Sequence, residues 1–186
     1  KHFDVMVRSV ESVASLIEKG YLSKYRSYVA PIGEISEEVH EVANDYQQQE
    51  LSKYMRKDVY LNYVIDTYKE YGEDRQGIIF AVDIAHGEAL KNAFVKRGIT
   101  SIESINSSMH ADEIDEVMND YEAGTLKLII NVEMLTEGVD LPDTRCIIGA
   151  RPTKSLTLYL QMAGRGLRPK SDGGDLIMLD CCGWSQ

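Results

Sequence analysis

Apolar residues along this chain fall into two regimes that meet at Gly72. Before it they recur at helical spacing or hardly at all; after it, short apolar runs alternate with amphipathic stretches. In "SVESVASLIEKG" Val10, Val13, Leu16 and Ile17 share one helical face, and Gly20 ends the segment. From Tyr21 to Gln49 the pattern fades into tyrosines, one proline and apolar pairs, which predicts an extended connector with one strand. Between about Gln47 and Tyr71 a stripe of Leu51, Tyr54, Met55, Leu61, Val64, Ile65 and Tyr68 predicts a single helix stopped by Gly72.

Beyond Gly72 the rhythm is regular. "GIIFAV" reads as a buried strand, "DIAHGEALKNAFVKRG" as a helix with Asp83 as N-cap and Gly98 at its end, and "ITSIESI" as a second strand. The unit then repeats. A helix carries Ile114, Val117, Met118 and Tyr121, the strand "LKLIIN" follows, "VEMLTEG" makes a short helical turn, and "TRCIIGA" is another strand. "SLTLYLQMAGRG" is a last helix and "GDLIMLD" a last strand. Strands apolar throughout and separated by helices imply an open parallel sheet covered on both faces. The expected organisation is an α/β domain of about five strands over residues 73–186, preceded by a helical and extended connector over 1–72. In such sheets ligands collect beyond the carboxyl ends of the strands, where "NVEMLTEGVDLP" and "ARPTKS" are expected, with "QMAGRGLRP" closing the last helix.

Composition narrows the possible functions. The 186 residues carry a formal net charge of −10. The local balance is −3 over residues 1–72, −10 over 73–144 and +3 over 145–186, so basicity is confined to the tail. A general nucleic-acid coat would present a broad basic patch; this distribution leaves room only for a narrow anion site near Arg165. No apolar run is long enough to span a bilayer and no secretion signal leads the chain, which reads as soluble and cytoplasmic. Cys146, Cys181 and Cys182 lack CxxC spacing and read as core thiols. The ends, Lys1 and "CCGWSQ", suggest a piece of something longer. "GEDRQGI" has Ile78 where a Walker A loop needs lysine, and "GRGLRP" lacks the third glycine of a dinucleotide fingerprint.

Three stretches carry a resemblance. "GIIFAV" is similar to motif IV, "TEGVDLP" resembles motif V, and Gln161-x-x-Gly164-Arg165-x-x-Arg168 resembles motif VI of superfamily 2 helicases and translocases, in their second, C-terminal RecA-like domain. Motifs V and VI, roughly twenty residues apart, are the specific part of the match. The wording "RPTKSLTLYLQMAGRGLRP" looks most like bacterial and phage helicases of the restriction-subunit and DNA-repair type; the RNA-directed DEAD-box branch usually has His at the position of Gln161.

The resemblance implies the C-terminal motor domain of an ATP-dependent DNA helicase, inactive alone. Its partners would be DNA in preference to RNA and an N-terminal RecA-like domain of the same polypeptide. That domain would supply Walker A and Walker B and bind most of the ATP and its Mg2+; no membrane and no metal site in this chain are implied. Arg165 and Arg168 would be arginine fingers that stabilise charge on the transferring phosphoryl group. Gln161 and Gly164 would meet the nucleotide, Gly138 and Asp140 would lie by its ribose or phosphate edge, and Thr136 would touch the nucleic-acid backbone.

Plainer readings stand beside these. Arg165 and Arg168 also suit a helix C-terminus, Gly138 and Asp140 a turn, and Thr136 a helix end. Arg151, Thr153, Lys154 and Ser155 are candidates for DNA phosphate contact, with Ser155 equally suited to cap a helix. His86 and His110 read as solvated or capping, and the tyrosines as packing residues. Asp83, after the motif IV strand, would repel phosphate unless it caps the helix, so no DNA contact is assigned there. The alternative to a motor is a noncatalytic RecA-like interaction or regulatory module.

Overall fold

The computed structural model describes residues 11–29, 39–42, 45–132 and 144–182. Its elements run α1 (Val13–Glu18), β1 (Tyr25–Val29), β2 (Glu41–Val42), β3 (Asp45–Tyr46), α2 (Gln48–Met55), α3 (Asp58–Tyr71), β4 (Gly77–Phe80), α4 (Ile84–Lys96), β5 (Ile102–Asn106), α5 (Ala111–Glu122), β6 (Leu128–Val132), β7 (Cys146–Gly149), α6 (Leu156–Gly166) and β8 (Leu176–Asp180). Six strands form one parallel sheet in the order β1-β8-β7-β4-β6-β5, and β2 and β3 form a separate antiparallel ribbon.

Four central strands, β4, β6, β7 and β8, are buried at every residue, which is why they read as unbroken apolar runs. Alternation along each strand splits the core in two. On one face Ile79, Ile130, Ile148 and Leu179 form a row across the sheet and receive Leu61, Val64, Ile65 and Tyr68 of α3 with Leu90 and Phe94 of α4. On the other, Ile78, Ile129, Ile147 and Met178 receive Tyr121 of α5 and Met162 and Ala163 of α6. The sheet is therefore covered on both sides, as an α/β fold requires.

Three expectations change. The connector supplies a sixth strand: β1 pairs in parallel with β8, from Tyr25 opposite Leu176 to Val29 opposite Asp180. As an edge strand that is largely exposed it lacks the apolar run that marks its neighbours. The single helix expected over 47–71 is two helices, because Lys57 is extended (φ −63°, ψ 137°). A continuous helix would place Asp58 within the apolar stripe; the break puts it in the first turn of α3, where the helix dipole favours an acid. The two pieces serve different cores, Leu51, Tyr54 and Met55 joining Val39 and Val82. Finally, α1 buries none of its residues, and Val13 of its expected stripe is 49% exposed.

Candidate functional site

The segment after β7 arrives at the carboxyl edge of the sheet, as expected. Arg151 is half-buried there and Pro152 is buried. Thr153 Oγ1 donates to Asp45 Oδ2 (2.7 Å) and the main-chain N–H of Lys154 donates to Asp45 Oδ1 (3.0 Å). The Lys154 ammonium pairs with Glu41, which holds its pKa above the ordinary lysine value, and lies 5.3 Å from the Tyr46 ring centroid. Ser155 realises the capping alternative: its hydroxyl accepts from the N–H of Leu158 (3.3 Å), and its own N–H donates to Thr153 Oγ1 (3.0 Å).

From this cap α6 runs back across the sheet. Met162, Ala163 and Gly166 point inward, whereas Gln161 and Gly164 are exposed and Arg165 and Arg168 half-exposed. The two glycines differ. A Cβ on Gly166 would lie 2.7 Å from side-chain atoms of Ile147 and Leu176, so close packing demands glycine there; among the described residues a Cβ on Gly164 would meet nothing within 4 Å. Because Ile147 is the second residue of β7 and Leu176 the first of β8, the end of α6 sits over the amino-terminal ends of those strands. An 11-residue helix is about 16 Å long. Arg165 and Arg168 therefore do not lie beyond the carboxyl edge with Thr153 and Lys154, and the two groups form two separate surfaces.

The turn after α6 is pinned from two directions. Lys170 is buried and its ammonium donates to the carbonyl of Gly166 (3.0 Å), closing the helix end. Ser23, just ahead of β1, donates from its N–H to the Leu167 carbonyl (2.8 Å) and from its hydroxyl to the Arg168 carbonyl. Neither residue stood out in the sequence, since a lysine and a serine in polar loops carry no pattern. Thr136, Gly138 and Asp140, together with the short turn expected at "VEMLTEG" beyond Val132, lie outside the described residues.

Beside β4, Asp83 caps α4, its Oδ1 accepting from the His86 N–H (2.8 Å) and from Ser52 Oγ (2.7 Å). His86 is not solvated. Its ring is fully buried, Nδ1 accepts from the Val82 N–H (3.2 Å), and burial pushes its pKa down to about 4, Arg56 adding to the effect and Asp83 opposing it. His110 occupies the N-cap of α5, where its N–H donates to Glu113 (2.8 Å). Tyr54, Tyr68 and Tyr121 are core residues and Tyr28 stacks on Tyr71, centroids 4.7 Å apart. Cys146 and Cys181 are buried thiols, and Cys182 donates to the Gly149 carbonyl (3.2 Å). Among the described residues no group of three or more His, Cys, Asp or Glu is placed to hold a metal ion, and no helix is long and apolar enough to cross a membrane.

A six-stranded parallel sheet with helices on both faces is a RecA-like α/β fold. Residues 57–170 match the helicase conserved C-terminal domain, and the chain belongs to that family. A 51.5 kDa protein of a Lactococcus phage is 27% identical over 98% of the chain and 39% of its own length. IRC3 of Saccharomyces cerevisiae, which carries the name of an ATP-dependent helicase, is 33% identical over 70% of the chain and 19% of its own length. A Vibrio vulnificus fragment described as an HsdR subunit of a type I restriction enzyme superposes with a TM-score of 0.70 at 21% identity, over 92% of this chain and 34% of that one. The same fold recurs in MrfA bound to DNA (TM-score 0.53, 18% identity, 85% of this chain and 19% of that one). It recurs also in S. cerevisiae Dbp5 bound to RNA and ADP BeF3 (0.54, 12%, 86% and 35%). The chain thus spans well under half of each of these proteins.

Proposed function

We propose that the chain is the second motor domain of an ATP-dependent DNA helicase or translocase, working against an N-terminal RecA-like domain of the same polypeptide. The observation that carries this reading is Gly164. It is exposed in the last turn of α6, and among the described residues nothing lies within 4 Å of where a Cβ would stand, so none of them requires glycine there. Glycine inside a helix costs about 1 kcal/mol relative to alanine, which calls for a reason beyond the packing of the described residues. A nucleotide approaching the backbone beside Gln161 and Arg165 supplies one.

In this reading Arg165 and Arg168 stabilise negative charge on the γ-phosphoryl oxygens, and Gln161 couples the nucleotide to the closing cleft. Gly138 and Asp140 line the ribose or phosphate edge and Thr136 touches the nucleic-acid backbone. Arg151, Thr153 and Lys154 contact backbone phosphate at the carboxyl edge of the sheet, with Ser155 holding the helix start beneath them. The two separate surfaces on α6 suit this division, hydrolysis at one end and nucleic acid at the other. Among the described residues no acidic cluster is placed to hold Mg2+, which the partner domain would hold; when bound, the ion neutralises phosphate oxygens. DNA is preferred to RNA because Gln161 stands where the RNA-directed branch usually has His.

The test is DNA-stimulated ATPase turnover of the full-length protein with Arg165→Ala or Arg168→Ala. We expect a loss on the order of 10³-fold or more with ATP binding retained. Unchanged turnover, or no ATPase in the parent protein, would overturn this reading in favour of a noncatalytic RecA-like interaction or regulatory module.

A further inference from the structure

The residues proposed to receive backbone phosphate already hold an anion. Asp45 Oδ2 accepts from Thr153 Oγ1 at 2.7 Å, and Oδ1 accepts from the N–H of Lys154 at 3.0 Å as well as from the N–H of Tyr46 within the ribbon at 2.9 Å, at the positive end of α6. Glu41 neutralises the Lys154 ammonium from the same side. Both acids belong to the β2–β3 ribbon, which is the wrong charge to border a phosphate-binding surface unless it serves to occupy it. A phosphodiester asks for the same set of groups: one donor for each of two oxygens and a cation nearby.

We propose that the β2–β3 ribbon is an internal competitor for backbone phosphate, with the Asp45 carboxylate seated where a phosphate group binds and Glu41 screening Lys154; this rests on the reading that Thr153 and Lys154 contact nucleic acid. The ribbon is suited to leave. Among the described residues it pairs Glu41 with Tyr46 and Val42 with Asp45, and a two-stranded ribbon is marginally stable on its own. Its base is held separately, by the Gln47 N–H on the His40 carbonyl (2.7 Å) and by Glu50 on the His40 N–H (2.8 Å), so the acids can swing out while α2 stays in place. Nucleic acid then binds by displacing the carboxylate, and its apparent affinity is lowered by the fraction of molecules with the ribbon closed.

The experiment is fluorescence polarisation of a labelled single-stranded oligonucleotide against the full-length protein and its variants. Asp45→Asn is expected to tighten binding roughly 3- to 10-fold, the gain that follows from a seat closed in most molecules. Glu41→Gln, a change at an exposed position that spares the fold, moves affinity the same way by less. The gain from Asp45→Asn disappears in Asp45→Asn/Thr153→Ala, and Asp112→Asn on the exposed face of α5 reports the general effect of removing one negative charge. If Thr153→Ala and Lys154→Ala weaken binding while Asp45→Asn and Glu41→Gln do no more than Asp112→Asn, the ribbon is a brace; the proposal falls and the phosphate contact stands. If Thr153→Ala and Lys154→Ala leave binding untouched, the contact itself is wrong and the proposal falls with it.

Discussion

The buried ammonium of Lys170 donates to the carbonyl of Gly166 at 3.0 Å, four residues back along the chain, and so finishes the helix that carries Gln161, Gly164 and Arg165. A buried charge is tolerated only where hydrogen bonds meet it, and the C-terminal end of a helix dipole adds a favourable field. Lys170→Ala removes a charge-assisted bond and leaves a carbonyl without its donor. We expect a loss of about 2 kcal/mol in urea unfolding at neutral pH. A change below about 0.5 kcal/mol would mean that solvent replaces the ammonium without cost.

The two glycines of α6 should respond oppositely to alanine. At Gly166 the new methyl meets Ile147 and Leu176 at 2.7 Å inside a packed core, and overpacking of this kind costs roughly 1–3 kcal/mol, partly offset by helix propensity. At Gly164 the methyl meets open space and should leave stability level or raise it by up to about 1 kcal/mol. Thermal denaturation of both variants, with ATPase measured on the full-length Gly164→Ala protein, separates the roles. Gly164→Ala with full activity would remove the main support for a nucleotide at that helix face.

Burial of His86 makes stability depend on mild acid. Its folded pKa lies near 4, below the ordinary value of 6.5, so the unfolded chain binds the extra proton between those limits. The stabilisation is therefore fully present above pH 6.5 and is lost as pH falls toward 4. Between pH 7 and pH 5 this amounts to about 2 kcal/mol. His86→Asn keeps an acceptor for the Val82 N–H and cannot titrate, so urea midpoints at the two pH values should converge relative to the parent. Equal slopes for both proteins would show that His86 titrates in the folded state.

Asp83 does two jobs with one oxygen, capping α4 and holding Ser52 of α2. Asp83→Ala should cost about 1–2 kcal/mol, as cap losses do, whereas Ser52→Ala should cost less because the cap survives. A double variant whose loss is smaller than the sum of the single losses is the expected signature of the shared carboxylate. Strict additivity in chemical unfolding would argue that the two bonds act independently.

Much of the fold is legible one residue at a time. Buried strands such as "GIIFAV" are apolar without interruption because both faces of the sheet are covered, and the helices between them show their inward stripe through residues such as Leu90, Phe94 and Tyr121. The motif VI pattern can be picked out for a similar reason, since Gln161, Gly164 and Arg165 fall on one short helix with Arg168 just past its end. A strand is legible in the connector, but its place as the sixth strand of the sheet is hidden because an edge strand bonds through its backbone while its side chains stay wet, and the break at Lys57 is hidden because a helical stripe does not say which core each half will meet.

By itself the sequence determined the α/β alternation, the parallel sheet, the capping role of Asp83 and the residues to suspect in α6, because local spacing and hydrogen-bonding chemistry decide these. Only the tertiary structure decided that the end of α6 carrying Arg165 sits over the amino-terminal ends of β7 and β8, away from the carboxyl edge that holds Thr153. It alone showed that Gly166 serves packing while Gly164 does not, that His86 is sealed away from water, and that Asp45, more than a hundred positions from Thr153, sits on its hydroxyl. Each of these depends on which distant segments meet, and chain spacing carries no record of that.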